Sequence, residues 1–152
     1  IMDERYRGII IKDDKLVLMK RNRNGEDFFV FPGGGIEKNE SPQQCCEREL
    51  LEEFGIEIEA KNMIYLIHQG ESKQGYFVCD WKSGEIHKTD AEEYQGLNHY
   101  GTYNPTLANL NEVSKLNILP PEVKEQFLDD LKVFGKKLNR PLIEIECADY
   151  KR

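Results

Sequence analysis

Short apolar runs alternate with polar, turn-forming segments along most of the chain, and this pattern predicts a β-rich fold. The segment RGIIIKDDKLVLMKR (7–21) contains two β-rich runs around Asp13-Asp14 and predicts a hairpin. The run DFFVF (27–31) ends at Pro32 and three glycines, which predicts a buried strand entering a tight loop. Further strands are predicted at 56–69, at 75–84 and, as an edge strand, at 142–146.

One helix has clear signals at both of its ends. Ser41 suits the N-cap, Pro42 the first helical position and Gln44 the capping box. Gly55 suits the position just after a helix, because glycine adopts the left-handed conformation readily. These residues predict a helix over 42–54.

The C-terminal half adds a second helix and a long polar segment. Apolar residues recur at helical spacing in PPEVKEQFLDDLKVFGKKL (120–138), which predicts an amphipathic helix. The segment 90–105 is polar and turn-rich, as is typical of a binding loop. Together these elements predict a single α+β domain over residues 1–152.

The composition indicates a folded protein with an acidic surface. The chain has 152 residues, of which 39% are hydrophobic and 10% aromatic, and its net charge is −7. The acidic balance argues against a stable nucleic-acid partner, and no apolar run approaches the roughly 20 residues of a membrane span. The four cysteines form no CxxC pair, which predicts reduced thiols and a cytoplasmic location.

The stretch ERELLEE (47–53) concentrates charge on the first predicted helix. At about 100° per residue, Glu52 and Glu53 flank Glu49 within an arc of about 100°. Arg48 lies about 100° away from Glu49 on the same helical projection. A solvated acidic face is one interpretation of this cluster, and a site for a divalent cation with oxygen ligands is the other.

The spacing around this helix is specific. Five residues separate Gly34 from Glu40, and seven more precede the run RELLEEFGI (48–56). This pattern resembles the box of the Nudix (MutT-like) hydrolase family, Gx5Ex7REUxEExGU with U a bulky aliphatic residue, at every fixed position. Asn39 stands where relatives often carry glycine, and asparagine tolerates a left-handed conformation.

The resemblance implies a Nudix fold, with a central mixed β-sheet sandwiched between helices, and a metal-dependent activity. Nudix hydrolases cleave a nucleoside diphosphate linked to a group X with Mg²⁺ or Mn²⁺. By resemblance, the metal ligands are Glu49, Glu52, Glu53 and the backbone at Gly34, with Glu93 of the polar segment as a further candidate. Glu40 and Arg48 are implied to support the loop and the helix.

The resemblance leaves the general base open among Glu49, Glu52, Glu92 and Glu93. Arg21 and Arg23 are candidates for contacts with phosphate, and the loop at Gly33 and Gly34 allows a ligand to approach the backbone closely. Candidates for stacking on a base are Phe28, Tyr100 and Tyr103.

The expected partner is a small nucleotide-type diphosphate, and a homodimer is compatible with the sequence. The main alternative is a catalytically idle Nudix-fold ligand sensor, which the intact REUxEE core disfavours. Isoprenoid diphosphate isomerisation requires further catalytic residues that have no counterpart here. Hydrolysis of RNA ends is disfavoured by the acidic balance.

Overall fold

The computed structural model describes residues 3–86 and 101–149 of the protein. Its strands are β1 (Asp3–Ile9), β2 (Ile11–Lys12), β3 (Lys15–Arg23), β4 (Glu26–Val30), β5 (Gly33–Gly35), β6 (Ile56–Gln69), β7 (Ser72–Gly84), β8 (Thr102–Asn109) and β9 (Ile143–Cys147). Its helices are α1 (Pro42–Phe54), a 3₁₀ helix (Leu110–Lys115) and α2 (Pro121–Phe134).

The strands form two sheets. The first has the order β5-β1-β7-β6-β9 and is mixed, because β1 runs parallel to β7 and β9 runs parallel to β6 while the other pairs are antiparallel. The second is antiparallel, with β3 paired to β2, β4 and β8. The predicted α+β class with a central mixed sheet is confirmed, and the second sheet is an addition to it.

Two apolar clusters attach the helices to these sheets. The buried face of α1 contributes Cys45, Cys46, Leu50 and Phe54 to one cluster. From α2, Val123 and Phe127 enter the other, where the Phe127 and Phe31 rings lie 5.5 Å apart. The sheets therefore lie between the two helices. No helix within the described ranges is long and apolar enough to span a membrane.

A buried polar network fixes α2 to the sheet. Asp130 is 3% exposed and accepts hydrogen bonds from the hydroxyl of Tyr65 at 2.5 Å and from Arg140 at 2.9 Å. Gln126 donates a third at 3.1 Å. The charge of this buried carboxylate is thus compensated on both oxygens.

The predicted hairpin at 7–21 is wrong in its first half. Only β2 pairs with the start of β3 across Asp13-Asp14, whereas β1 belongs to the other sheet, where it pairs with β7. Local alternation indicates strands but does not specify their partners, because parallel pairing joins segments that are far apart in sequence.

Three boundaries also differ from the predictions. The buried strand expected at 27–31 is β4, which ends at Val30; Phe28 and the following Phe31 are buried, and Phe29 and Val30 are half-buried. The helix predicted to 138 ends at Phe134, with Gly135 as its cap. The predicted loop at 90–105 is wrong at its end, since β8 begins at Thr102 and pairs with β3, while residues 87–100 lie outside the described ranges.

Candidate active site

The three glycines before α1 form strand β5, antiparallel to β1, with Tyr6 opposite Gly34. At Gly33 φ is 152°, and a Cβ there would lie 2.2 Å from the carbonyl oxygen of Tyr6. A Cβ at Gly34 would lie 2.4 Å from Oε2 of Glu49. The glycines therefore let the loop approach β1 on one side and the carboxylate of α1 on the other.

The predicted start and end of α1 are confirmed. The Ser41 hydroxyl accepts from the Gln44 amide at 3.1 Å, and the Gln44 side chain accepts from the Ser41 amide at 2.9 Å. Gly55 has φ 73° and donates to the carbonyl of Leu51. Asn39, in the turn before the helix, has φ 66°, so asparagine adopts the left-handed conformation that the box requires there.

Arg48 joins the glycine loop to the helix. Its guanidinium donates to both oxygens of Glu40, at 2.6 and 3.0 Å, and to the carbonyl of Gly35 at 3.1 Å. The hydrogen bond from Arg48 lowers the pKa of Glu40, and the same contact raises the pKa of Arg48. This bidentate pair fixes the loop against the first turns of α1.

The expectation that Arg48 stands apart from the carboxylate face is wrong. Its Nη1 lies 2.9 Å from Oε1 of Glu49 and 3.3 Å from Oε2 of Glu52. A projection down the helix axis places Cβ atoms, and a long guanidinium side chain reaches across the turn beyond its own Cβ direction.

Glu49 and Glu53 both line one cleft beside the helix. Burial, followed by the contact with Glu49 and its negative charge, raises the pKa of Glu53 to about 8. Arg7, on β1, acts in the opposite direction and lowers the pKa of Glu53. Two acidic side chains at one partly buried position also suit a hard cation, which would replace the proton of Glu53.

Glu52 does not line the cleft with Glu49 and Glu53. Its side chain is 58% exposed and contacts Arg48. Within the described ranges, no three His, Cys, Asp or Glu side chains are arranged closely enough to hold a metal ion. The carbonyl oxygen of Gly34, the predicted backbone ligand, accepts a weak hydrogen bond from the Cys45 thiol at 3.5 Å.

One acidic residue of α1, Glu47, lies on the buried side of the helix and has a hydrogen-bond partner there. Its carboxylate accepts the backbone amide of Ala60 at 2.9 Å. The register of the β6–β7 pair shifts just after Ala60, so this amide lies at an irregularity in the sheet. Glu47 is therefore a structural partner of β6 and not part of the carboxylate face.

A cleft of about 380 Å³ opens beside the acidic pair. We call it the proximal cleft; it is lined by Arg5, Arg7, Arg21, Tyr103, Glu49, Glu53 and Gly33–Gly35, among others. Six of the residues singled out from the sequence thus lie around one space: Gly33, Gly34, Glu49, Glu53, Arg21 and Tyr103.

Residues 2–127 of the chain match the NUDIX domain family. The chain belongs to the Nudix family. It is 30% identical over 112 residues to an RNA pyrophosphohydrolase of Actinobacillus succinogenes, a match that covers 59% of this chain and 57% of that protein. It is 38% identical over 90 residues to an ADP-ribose pyrophosphatase of Methanocaldococcus jannaschii, covering 55% and 53%.

The fold is also similar to that of solved structures. A crystal structure of an ADP-ribose pyrophosphatase from Streptococcus suis matches with a TM-score of 0.65 and 17% identity, over 96% of this chain and 99% of that one. The predicted family is confirmed. The chain spans about half the length of the two relatives named above.

Two arginines outside the Nudix box were missed from the sequence. Arg5 and Arg7 lie on β1 opposite Gly35 and Gly33, so their strand register places them beside the box. Arg7 donates to the side chain of Gln74 at 2.7 Å and to the carbonyl of Phe31 at 2.8 Å. A signal existed in the alternation of arginine at positions 5 and 7, but only the pairing of β1 with β5 gives it meaning.

The aromatic candidates outside the box contact an arginine. The guanidinium of Arg21 lies 3.6 Å from the ring centroid of Tyr103 and 5.5 Å from that of Phe28. Arg21 also donates to the carbonyl of Thr102 at 3.0 Å. One face of the Tyr103 ring, predicted to stack on a base, thus packs against a cation.

Two of the predicted substrate-binding residues, Arg23 and Phe28, line a second cavity. The second cavity has a volume of about 270 Å³ and shares Arg7 and Arg21 with the proximal cleft.

Three other predicted site residues lie outside the described ranges. The acids Glu92 and Glu93 and the stacking candidate Tyr100 all belong to residues 87–100.

Proposed function

We propose that the protein is a divalent-cation-dependent hydrolase that cleaves the diphosphate of a nucleoside diphosphate linked to a group X. The Glu49–Glu53 pair carries this proposal, because it places two carboxylates beside arginines in one cleft. Acids hold a cation there while guanidinium groups bind phosphate oxygens. Nudix relatives named pyrophosphohydrolase and pyrophosphatase support the same reaction class.

The residues of the cleft fit a bound Mg²⁺ or Mn²⁺. Glu49 and Glu53 would hold the ion with the Gly34 carbonyl. Glu52, which contacts Arg48 and does not line the cleft, would be a further ligand only if its side chain turned away from Arg48. Such an ion neutralises phosphate charge and lowers the pKa of the attacking water. Glu40 acts by positioning, because its bidentate pair with Arg48 holds the glycine loop against α1.

The chain's own cations bind and orient the substrate in this proposal. Arg7 and Arg21 both line the proximal cleft and are both oriented by hydrogen bonds to backbone carbonyls. Orientation in advance lowers the entropic cost of holding the diphosphate in line for attack. The proton of the attacking water would go to one of the box carboxylates, Glu49 or Glu52, or to Glu92 or Glu93.

Hydrolysis of a phosphorylated RNA 5′ end is a second candidate. The relative from Actinobacillus succinogenes is named an RNA pyrophosphohydrolase. The acidic balance of the chain counted against RNA, but the cleft itself is lined by Arg5, Arg7 and Arg21. Local charge in the cleft, more than net charge, determines whether an anionic end binds there.

A reducing compartment is the proposed location of the protein. Cys45, Cys46, Cys79 and Cys147 are all free and buried. Burial raises the pKa of Cys45 to about 12, which keeps its thiol protonated. Free thiols of this kind are typical of cytoplasmic proteins.

A substrate screen with matched variants tests the proposed function. Nucleoside triphosphates, nucleotide sugars, ADP-ribose, dinucleoside polyphosphates and a 5′-triphosphorylated oligonucleotide are incubated with Mg²⁺, Mn²⁺ or a chelator, and the phosphate products are identified. We expect metal-dependent turnover that Glu53→Gln abolishes without loss of folding. Glu57→Gln is the control, because Glu57 is exposed and contacts Ser83. Absence of turnover on every substrate would favour the ligand sensor.

A further inference from the structure

The second cavity shares two lining arginines with the proximal cleft. We call it the distal chamber and define it by Arg7, Arg21, Arg23, Phe28, Gln74 and Asp149, which are among its lining residues. Arg7 and Arg21 line both spaces, whereas Glu49 and Glu53 line the proximal cleft only. Because Arg7 and Arg21 belong to both walls, a ligand that contacts them in the proximal cleft lies next to the distal chamber.

The distal chamber carries positive charge in a chain whose net charge is −7. Among the described residues, three guanidinium groups and one carboxylate, that of Asp149, line it. A guanidinium is charged at every physiological pH. An anionic group is the ligand that this local charge favours.

Arg23 supplies a donor that lacks an acceptor. Its Nε is buried and has no hydrogen-bond partner within the described residues. A buried charged donor left unpaired is unfavourable, and a ligand oxygen that accepts from it removes this penalty. Phosphate oxygens match the donor geometry of a guanidinium particularly well.

Arg7 and Arg21 are held in place before any ligand binds. Arg7 is oriented by Gln74 and the Phe31 carbonyl, and Arg21 by the Thr102 carbonyl. Arg23 ends β3 next to a two-residue turn, Asn24-Gly25, in which both residues have positive φ. A tight turn of this kind fixes the register of the β3–β4 hairpin and with it the position of Arg23.

The spacing along β3 sets the distance between two anion contacts. Arg21 and Arg23 are two residues apart on one strand, so their side chains leave the same face about 6.8 Å apart. That distance is comparable with one sugar–phosphate unit of an extended nucleotide. A diphosphate near Arg21 and a further phosphate near Arg23 are therefore separated by about one ribose.

We propose that the distal chamber binds a second phosphate of the substrate, carried on the 2′ or 3′ oxygen of the nucleoside ribose. This inference rests on the proposed function and specifies its substrate class as a ribose-phosphorylated nucleoside diphosphate derivative. Two sources share this chemistry: a phosphomonoester on a mononucleotide, and the first internucleotide phosphodiester of an RNA end.

Binding of product-like nucleotides tests the inference independently of turnover. Calorimetric titrations with Mg²⁺ compare adenosine 5′-monophosphate with adenosine 2′,5′-bisphosphate, adenosine 3′,5′-bisphosphate and the 5′-phosphorylated dinucleotide pApA. We expect at least one ribose-phosphorylated ligand to bind about ten- to a hundredfold more tightly than the monophosphate. Tightest binding of a bisphosphate identifies the phosphomonoester, and tightest binding of pApA identifies the RNA end.

Variants on β3 assign that preference to the distal chamber. Arg23→Gln is expected to remove most of the preference while leaving affinity for adenosine 5′-monophosphate unchanged, and Arg23→Lys to retain part of it. Lys20→Gln is the control. It also removes one positive charge from β3, but Lys20 lines neither cavity.

Two results would overturn the inference: equal affinity for all four ligands in the wild type, or a preference that survives in Arg23→Gln. Failure of the proposed function gives a different pattern, in which phosphate-dependent binding persists but no diphosphate is hydrolysed. Turnover of diphosphates without any preference for a ribose phosphate would leave the proposed function intact and reject the inference alone.

Discussion

Glu53 and Glu49, one helical turn apart on α1, both line the proximal cleft, and the negative charge of Glu49 acts on the buried carboxyl group of Glu53. Burial, followed by the contact with Glu49, raises the pKa of Glu53 to about 8. The acidic cluster of the sequence is therefore stabilised in two ways: by the Arg48 guanidinium, which contacts Glu49, and by the raised pKa of Glu53, which favours the neutral form of that side chain. A divalent cation would take the place of the proton.

The first prediction concerns pH and the metal-free protein. The pKa of Glu53 rises from an ordinary 4.5 to about 8 on folding, so the folded state binds this proton more tightly. Its contribution to the free energy of unfolding is complete below 4.5 and is lost as pH rises through about 8. In the presence of a chelator, we expect the Tm difference between wild type and Glu53→Gln to change steadily over this interval.

Calorimetric melts at several pH values, with and without Mg²⁺, measure this effect. Added Mg²⁺ is expected to raise the Tm of the wild type most at the alkaline end, where Glu53 has lost its proton. A Tm difference between wild type and Glu53→Gln that is independent of pH would contradict the prediction.

Arg48→Lys is expected to lower the free energy of unfolding by about 1–3 kcal/mol. Lysine keeps the charge but cannot make the bidentate contact with Glu40 together with the contact to the Gly35 carbonyl. Urea denaturation measures the loss. Arg5→Lys is the matched control, because Arg5 pairs with Asp3 at an exposed position, and we expect a change within about 0.5 kcal/mol there.

Gly34→Ala is predicted to impair activity more than stability. A Cβ at this position meets the carboxylate of Glu49, the far end of a flexible side chain, so Glu49 moves and the fold does not. Turnover is expected to fall about tenfold or more, since small displacements of catalytic groups are costly. Gly35→Ala is the control, since a Cβ there meets no atom within 4 Å. Equal turnover in the two variants would count against a role for Glu49.

Arg140→Met is expected to destabilise the fold by about 3–5 kcal/mol, because it leaves the buried Asp130 carboxylate uncompensated. The side chains of Arg140 and Asp130 are only 12% and 4% exposed. Lys115→Met removes an exposed pair with Glu112 and should cost less than about 1 kcal/mol. Chemical denaturation of both variants gives the comparison.

The sequence predicted α1 and its box well because the signals there are local. Capping side chains, a left-handed glycine and fixed spacings act over a few residues, and each is found where the pattern places it. The partner of β1 could not be predicted in the same way, since β1 pairs with β7, more than sixty residues away. Arg5 and Arg7 were missed for that reason.

Side-chain reach was the other source of error. Helical projection separated Arg48 from Glu49, yet the guanidinium lies between Glu40 and Glu49. The stacking of Arg21 on Tyr103 depends on the pairing of β3 with β8, a strand whose first half falls within the predicted loop at 90–105. Contacts between residues far apart in sequence, or beyond the Cβ direction, therefore decide where the Arg48 and Arg21 guanidinium groups lie.

Arg7 and Arg21 form part of the wall of both cavities, and this shared wall has a thermodynamic consequence. An anion in either cavity interacts with the guanidinium groups of both Arg7 and Arg21. The binding free energies of the two anions are therefore coupled. Such coupling is reciprocal: whatever factor a distal occupant applies to proximal affinity, the proximal occupant applies to distal affinity. A ligand that covalently joins both anions escapes the competition between separate ions, because it enters the two cavities as one molecule.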